Sequence, residues 1–599
     1  MCGICGEIRF DGTAPDVAAV DTMTCEMTRR GPDGSGIFAK GGVALGHRRL
    51  KIIDLSERGA QPMIDPDLGL ALVFNGCIYN HQELRAELQA AGYRFFSHAD
   101  SEVILKAFHH WGAACVDHFL GMFAFAVVNT DTQVVTLARD RLGIKPLYLA
   151  EKPGRLRFAS SPQALLRAGD IDTSIDQIAL HHYFSFHAVV PAPHTIYNGI
   201  RKLPPATVAT ITPDGRRTEK RYWEPTFAPH PDRADWDEKR WQHELVDSLR
   251  TAVRRRMVAD VPVGVLLSGG IDSSLVVALL AEQGQTDLAT FSIGFDSAGG
   301  ESGDEYAYSD VIADTFATDH HKIHIGTERL LPAVPDAVAA MGEPMISHDC
   351  VAFYLLSEEV SKSIKVVQSG QGADEILGGY SWYPPLADVP RDQTTPAYAK
   401  VFFDRPHAAI SQFLSPAYQL ADDYDPSWEF VKAHQAAPGA HTAVDAALRL
   451  DTTIMLVDDP VKRVDTMTMA WGLEARVPFL DHEFVELAAT CPPNLKLAHG
   501  GKGVLKEASR SLLPAAVIDR TKGYFPVPGI RHLEGGVLDL VTDALRSQSA
   551  LDRGLYRPEA LDTLLANPNG TRTTLGSNEL WQLALLEMWL QSMETLRAR

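Results

Sequence analysis

The chain has 599 residues, and its 56 Lys and Arg against 76 Asp and Glu leave a formal charge of −20, with 45% hydrophobic and 22% charged residues. At roughly 100–200 residues per domain that length corresponds to two to four domains, and the composition excludes a disordered chain. The acidic balance argues against nucleic acid as the main partner, and no apolar run reaches the roughly 18 residues of a membrane span.

Residues 1 to about 160 read as short strands mixed with two helices. Ile4 to Phe10 alternates, and Leu70–Phe74, Phe123–Val128 and Val134–Ala138 are short apolar runs bounded by turn residues. Leu84 and Leu88 lie one helical turn apart in His81–Ala91, and Val103, Ile104, Ala107, Phe108 and Trp111 make a helical stripe that stops at Gly112. A Pro-rich stretch follows, and residues 206–235 are expected to be a linker between a first domain at 2–205 and a second at 236–599. In the second, Val263–Leu267, Ala289–Phe295 and Ile364–Gln368 read as buried parallel strands, with helices dominating from about residue 395. No internal repeat is present.

The start, Met1-Cys2-Gly3-Ile4-Cys5, lacks a basic segment followed by an apolar one, and seven cysteines are too few and odd in number for a disulfide scaffold. A reducing cytoplasm is the expected location. Removal of Met1 would leave Cys2 with a free α-amine of pKa about 8, able to act as base for its own thiol. A Cys2–Cys5 zinc or redox pair lacks partners at metal spacing. A thiol attacking a carboxamide needs an oxyanion hole, which Asn75 and the Gly76 N–H can supply. Arg49 can grip an α-carboxylate and Asp100 an α-ammonium. Around these stand Arg29–Gly34, His47–Leu50, Phe74–Gly76, Asp100–Glu102 and Ala138–Gly143. This set resembles the class II glutamine amidotransferases, and the resemblance implies that Cys2 is the nucleophile, Arg49 and Asp100 bind glutamine, and Asn75 and Gly76 line the oxyanion hole. Those proteins usually carry Asn-Gly-Glu where this chain has Asn75-Gly76-Cys77, so one glutamine-contacting carboxylate is missing.

Val263–Leu267 feeds Ser268-Gly269-Gly270-Ile271-Asp272-Ser273-Ser274 and an apolar helix, a strand–glycine turn–helix anion site with free N–H groups and hydroxyl donors. It matches neither Gly-x-x-x-x-Gly-Lys-Ser/Thr nor Gly-x-Gly-x-x-Gly. It looks like the pyrophosphate loop of the ATP pyrophosphatases. With Gln368–Glu375, Trp471–Asp481 and Lys502–Lys506, the order of blocks resembles the glutamine-dependent asparagine synthetase family over nearly the whole chain. The implied fold is α/β, an N-terminal Ntn-type αββα sandwich followed by a doubly wound parallel-sheet ATP pyrophosphatase domain with many helices. The implied cofactors are ATP and Mg²⁺. Leu267 and Ile293 would flank the adenine, and Ser369 and Gly370 would contact the nucleotide beside Ser268, Gly269, Gly270, Ser273 and Ser274. Asp272 and Asp374 would hold Mg²⁺, and Lys502 would neutralise the departing pyrophosphate. Gln371 stands where many members carry a carboxylate.

The expected reaction is glutamine hydrolysis coupled to adenylation and amidation of a carboxylate, through an internal tunnel. Phe74–Asn80, Tyr183–Pro191 and Met345–Cys350 resemble N-acetylglutaminylglutamine amidotransferases, which make an osmoprotectant dipeptide amide; aspartate is the alternative acceptor. A ring-closing ligase related to β-lactam synthetase would not need Cys2. A non-catalytic nitrogen sensor would not need Ser268, Asp272, Asp374 and Lys502. Small-molecule substrates and no membrane partner are expected, with a homodimer left open.

Overall fold

The computed structural model describes residues 2–297, 302–520, 523 and 527–598. Met1, whose removal the sequence anticipates, lies outside them. Strands β1 (Gly3–Arg9), β2 (Gly34–Lys40), β3 (Val43–Arg49), β4 (Met63–Asp65), β5 (Leu70–Ile78), β6 (Gly121–Asn129), β7 (Val135–Arg139), β8 (Tyr148–Lys152), β9 (Arg155–Ala159), β10 (Arg201–Lys202), β11 (Thr207–Ile211) and β12 (Arg217–Arg221) form two antiparallel sheets. Their orders are β10-β8-β9-β1-β3-β2 and β12-β11-β7-β6-β5-β4.

Ile4, Ile8, Leu45, Val73, Ala126 and Phe158 meet between the sheets, while Leu72, Phe74 and Phe125 turn outward onto Leu84, Leu88, Val103 and Ile104 of helices His81–Ala90 and Asp100–Trp111. The helix Val17–Glu26 covers the other sheet through Val20 and Met23 against Cys5. Each central strand is therefore buried on both faces. That is why Gly3–Ile8 is continuously buried rather than alternating with solvent, as its sequence suggested. The αββα layering is as expected.

The linker reading needs correction. β11 pairs with β7, and β12 pairs with β11, so the second sheet runs to Arg221. β12 is Arg-Thr-Glu-Lys-Arg on an exposed edge and carries no apolar signal. The connection proper is the stretch before the helix Glu238–Arg255.

The second half is built on β13 (Val263–Leu266), β14 (Ala289–Phe295), β15 (Asp319–Ile325), β16 (Val366–Gln368) and β17 (Glu474–Arg476). All neighbours are parallel, in the order β15-β14-β13-β16-β17. Helices cover both faces: Val265 and Leu267 pack with Leu245, Leu249, Leu275 and Leu279, and Leu266, Phe291 and Ile293 with Val334, Leu355 and Trp581. Chain order places β14 and β15 on one side of β13, and β16 and β17 on the other. The C-terminal ends of β13 and β16 flank the resulting switch point, where open α/β sheets bind ligands.

Buried ion pairs tie the halves together. Asp465 accepts from Arg30 at 2.9 Å and Lys145 at 3.1 Å, and Lys202 reaches Glu343 at 2.9 Å and Asp458 at 2.7 Å. Among the described residues no helix is long and apolar enough to cross a membrane.

Candidate active sites

The first site lies at the open end of the sandwich. Antiparallel pairing sets Gly3 opposite Arg48, which brings Cys2 beside Arg49. A cavity of about 30 Å³ is lined by Cys2, Arg49, Gly76, Cys77, Asp100, Glu474 and Arg476, among others. The backbone N–H of Cys2 donates to Asn75 Oδ1 at 3.0 Å, and Asn75 is fully buried with its Nδ2 lacking a hydrogen-bond partner. An unsatisfied buried donor is costly, so its retention beside a thiol points to an oxyanion ligand. Gly76 is required by space, because a Cβ there would lie 2.1 Å from Met122 O.

Arg49 is held from behind. Its Nη1 donates to Ser56 O at 2.8 Å and its Nη2 to Asp54 O, where Asp54 adopts a left-handed φ of 51°. Asp100 Oδ2 accepts Ile78 N–H at 3.0 Å, and burial raises its carboxyl above the usual range. Burial also raises the Cys2 thiol, with Glu474 adding to the effect, against the lowering influence of the Leu50 backbone and Arg49. The resting sulfur is a thiol that needs a base.

The second site sits at the switch point. The β13 turn carries Gly269 at φ 71°, where a Cβ would meet Ser309 N at 2.6 Å. Gly270 enters the helix Ile271–Glu282 without a side-chain cap, leaving first-turn N–H groups for an anion. Ser268 and Ser273 hydroxyls lie 3.1 Å apart, and Ser274 Oγ is buried without a partner. The β16 turn packs directly against this loop, a Cβ on Gly370 falling 2.8 Å from Ser273 N. Lys502, at a left-handed φ of 56°, reaches Asp272 Oδ2 at 2.8 Å and Asp374 Oδ1 at 2.9 Å. The two carboxylates hold its ammonium above the ordinary lysine range against burial. Both aspartates thus converge on one cation, and two hard oxygen donors beside an anion loop suit a divalent ion that completes its shell with phosphate and water.

These loops open into a cavity of about 1350 Å³ that Leu267, Ile293, Ser369, Gly370, Gln371 and Lys502 also line. Its far wall is formed by residues given no role from sequence: His187, His348, Asp349, Asp459, Arg463 and Arg572. Asp459 and Arg463 are aimed by π-helical turns, Asp451–Met455 and Val457–Val461, between helices Ala443–Leu450 and Lys462–Met469. His187 Nδ1 lies 3.1 Å from Asp404 Oδ2, and this pairing raises its pKa although burial works the other way. The structure brings Cys2, Arg49, Asn75, Gly76 and Asp100 together at one site, and the Ser268–Ser274, Ser369–Gly370, Asp374 and Lys502 residues together at the other. Sequence missed that Glu474 and Arg476 reach the first site, although both lie in a conspicuous block.

A further cavity of about 540 Å³ lies between the halves, lined by Arg29, Arg30, Lys202, Asp458, Lys462 and Asp465 among others. None of the residues that line it also lines either site.

Residues 1–223 match the glutamine amidotransferase domain family and residues 244–591 the asparagine synthase family. The chain is similar to asparagine synthetase [glutamine-hydrolyzing] 1 of Bacillus subtilis, 31% identical over 98% of this chain and 96% of that one. It is also similar to asparagine synthetase [glutamine-hydrolyzing] 3 of the same organism (30%, covering 94% and 93%) and to asparagine synthetase B of Escherichia coli (29%, covering 88% and 82%). With a parallel-sheet nucleotide-type site following an N-terminal cysteine site, and with these matches over nearly its full length, the chain belongs to the asparagine synthase family.

Proposed function

We propose that the protein is a glutamine-dependent carbon–nitrogen ligase whose acceptor is the C-terminal carboxylate of N-acetylglutaminylglutamine. Cys2 Sγ attacks the side-chain carbonyl carbon of glutamine while Asn75 Nδ2 and the Gly76 N–H hold the oxyanion. The thiol proton passes to the α-amine that Cys2 gains when residue 1 is removed, and then to the nitrogen that leaves as ammonia. Water hydrolyses the γ-glutamyl thioester to glutamate and restores the thiol.

In the second half an acceptor carboxylate oxygen attacks the α-phosphorus of ATP and the bond to the β-phosphate bridging oxygen breaks. Pyrophosphate leaves against Lys502, the N–H groups at the start of Ile271–Glu282 and the Ser268 and Ser273 hydroxyls. Asp272 and Asp374 would hold Mg²⁺, which would supply neutralisation of phosphate charge. Ammonia adds to the acyl-adenylate carbon, and as the C–O bond to AMP breaks the added nitrogen gives its surplus proton to the departing phosphate, leaving the amide and AMP. Passage of ammonia inside the protein keeps it unprotonated, so no group at Gln371 is needed to deprotonate ammonium, and the proton released on amide formation leaves with the AMP phosphate.

The cavity carries the acceptor reading. At about 1350 Å³ it exceeds the roughly 300–1,000 Å³ of an ordinary small-molecule pocket. Its wall includes His187, Val189, Ser347, His348 and Asp349, from two of the three segments that resemble the dipeptide enzymes. Aspartate is the second reading, supported by the names of the relatives. An ATP/pyrophosphate exchange screen over aspartate, N-acetylglutaminylglutamine and related carboxylates decides it. Exchange with the dipeptide is expected, and exchange with aspartate alone would overturn the dipeptide reading.

A further inference from the structure

The turn behind Arg49 rests on the ligase half. Leu50 and Ile52, which line the Cys2 cavity, cluster with Val263 and Val366, the first residues of β13 and β16. The two strands whose far ends carry the nucleotide loops therefore seat the glutamine pocket at their near ends. Beside this apolar contact stands a two-point clip. Asp260, just before β13, accepts the Asp54 N–H through Oδ2 at 2.7 Å and donates its own N–H to Ile52 O at 2.8 Å.

On the other side of the clip, Asp54 frames the first site. Its left-handed φ of 51° turns its carbonyl onto Arg49 Nη2. Its Oδ1 accepts from the Ser56 N–H at 3.1 Å and the Ser56 hydroxyl at 2.5 Å, which shapes the turn whose Ser56 carbonyl takes Arg49 Nη1 at 2.8 Å. Its Oδ2 accepts the His98 N–H at 2.9 Å, just before Asp100. The turn closes tightly on the guanidinium, since a Cβ on Gly59 would lie 2.4 Å from Arg49 Nη2. A left-handed non-glycine residue persists only where its surroundings over-determine it. Asp260 supplies the partner of the Asp54 N–H.

We infer that Asp260 is a positioning residue of the glutaminase site: from the ligase half it fixes the Asp54 turn, and through that turn the Arg49 guanidinium that grips the α-carboxylate of glutamine. The inference rests on the glutaminase reading of Cys2 and Arg49. Asp260 itself is exposed and does not line the Cys2 cavity, so loss of its side chain reaches glutamine only through the turn.

The test uses the full-length enzyme, L-glutamine hydrolysis, and iodoacetamide, a small alkylating agent with no α-carboxylate, followed as the rate at which it abolishes glutaminase activity. Asp260→Ala is expected to lower kcat/KM for glutamine about tenfold, mainly through KM. Inactivation by iodoacetamide is expected to stay within about twofold of the parent rate, because Cys2 and its surroundings are untouched. Asp260→Asn keeps an acceptor oxygen for the Asp54 N–H and is expected to stay within about threefold of the parent on glutamine. A thermal melt checks that each variant is folded. Unchanged glutamine kinetics in Asp260→Ala, a loss of kcat with iodoacetamide slowed in parallel, or an Asp260→Asn enzyme as impaired as Asp260→Ala overturns the inference. Glutamine hydrolysis that survives Cys2→Ala would instead remove the glutaminase reading on which it rests.

Discussion

The Lys502 ammonium lies 3.0 Å from Oδ1 and 2.8 Å from Oδ2 of Asp272, a residue 230 positions earlier in the chain, while also contacting Asp374. The three come from the ends of different elements and meet only because the β13 and β16 turns pack together. Lys502→Met removes the charge that meets departing pyrophosphate and leaves two carboxylates facing each other. Acceptor-dependent pyrophosphate release is expected to fall by about 10²-fold or more. Glutamine hydrolysis, measured as glutamate formed, is not expected to follow it. A Lys502→Met enzyme that releases pyrophosphate at the parent rate would remove Lys502 from the chemistry.

Asn75 gives a second expectation. Its Oδ1 is occupied by the Cys2 N–H and its buried Nδ2 is unpartnered, so the amide is oriented with its donor toward the reacting carbonyl. Asn75→Ala should lower the glutaminase kcat by about 10²–10³-fold with a smaller change in KM. A pure KM effect would make Asn75 a binding residue only.

Acid sensitivity is a third. His47, His181 and His182 are buried, and burial pushes each ring down to about 3. Each is neutral in the folded state and protonates near pH 6.5 when unfolded. Their contribution is therefore complete above about pH 6.5 and is lost as pH falls below it, costing about 2 kcal/mol per ring by pH 5. Asp451, pushed up to about 6 by burial despite hydrogen bonds from Tyr383, Tyr398 and Trp382, acts in the opposite sense. Its contribution is full below the unfolded carboxylate pKa and lost as pH rises through 6, so it offsets only part of the histidine loss. Calorimetry at pH 7.5, 6 and 5 should show Tm falling on acidification. A Tm independent of pH in that range would mean that these rings are not buried.

Much of both sites was legible because each is made of short contiguous blocks at strand ends. Ser268–Ser274 follows a run of apolar residues and precedes a helix, and local pattern alone identifies such a turn. β12 was illegible because an exposed edge strand of Arg-Thr-Glu-Lys-Arg has no apolar face to report. Asp459 and Arg463 were illegible because Pro460 between them reads as a helix break, whereas the chain passes it in π-helical turns that continue into the next helix. Glu474 could be seen but not assigned, since nothing along the chain says that a ligase strand ends at the thiol of the other half.

The most direct measurement is product formation by Cys2→Ala with glutamine and, separately, with ammonium as nitrogen donor, at saturating ATP and acceptor. Loss of glutamine-driven amide with retention of ammonia-driven amide is the expected result. Amide formation from glutamine at the parent rate would contradict Cys2 as the nucleophile and with it the coupling of the two sites.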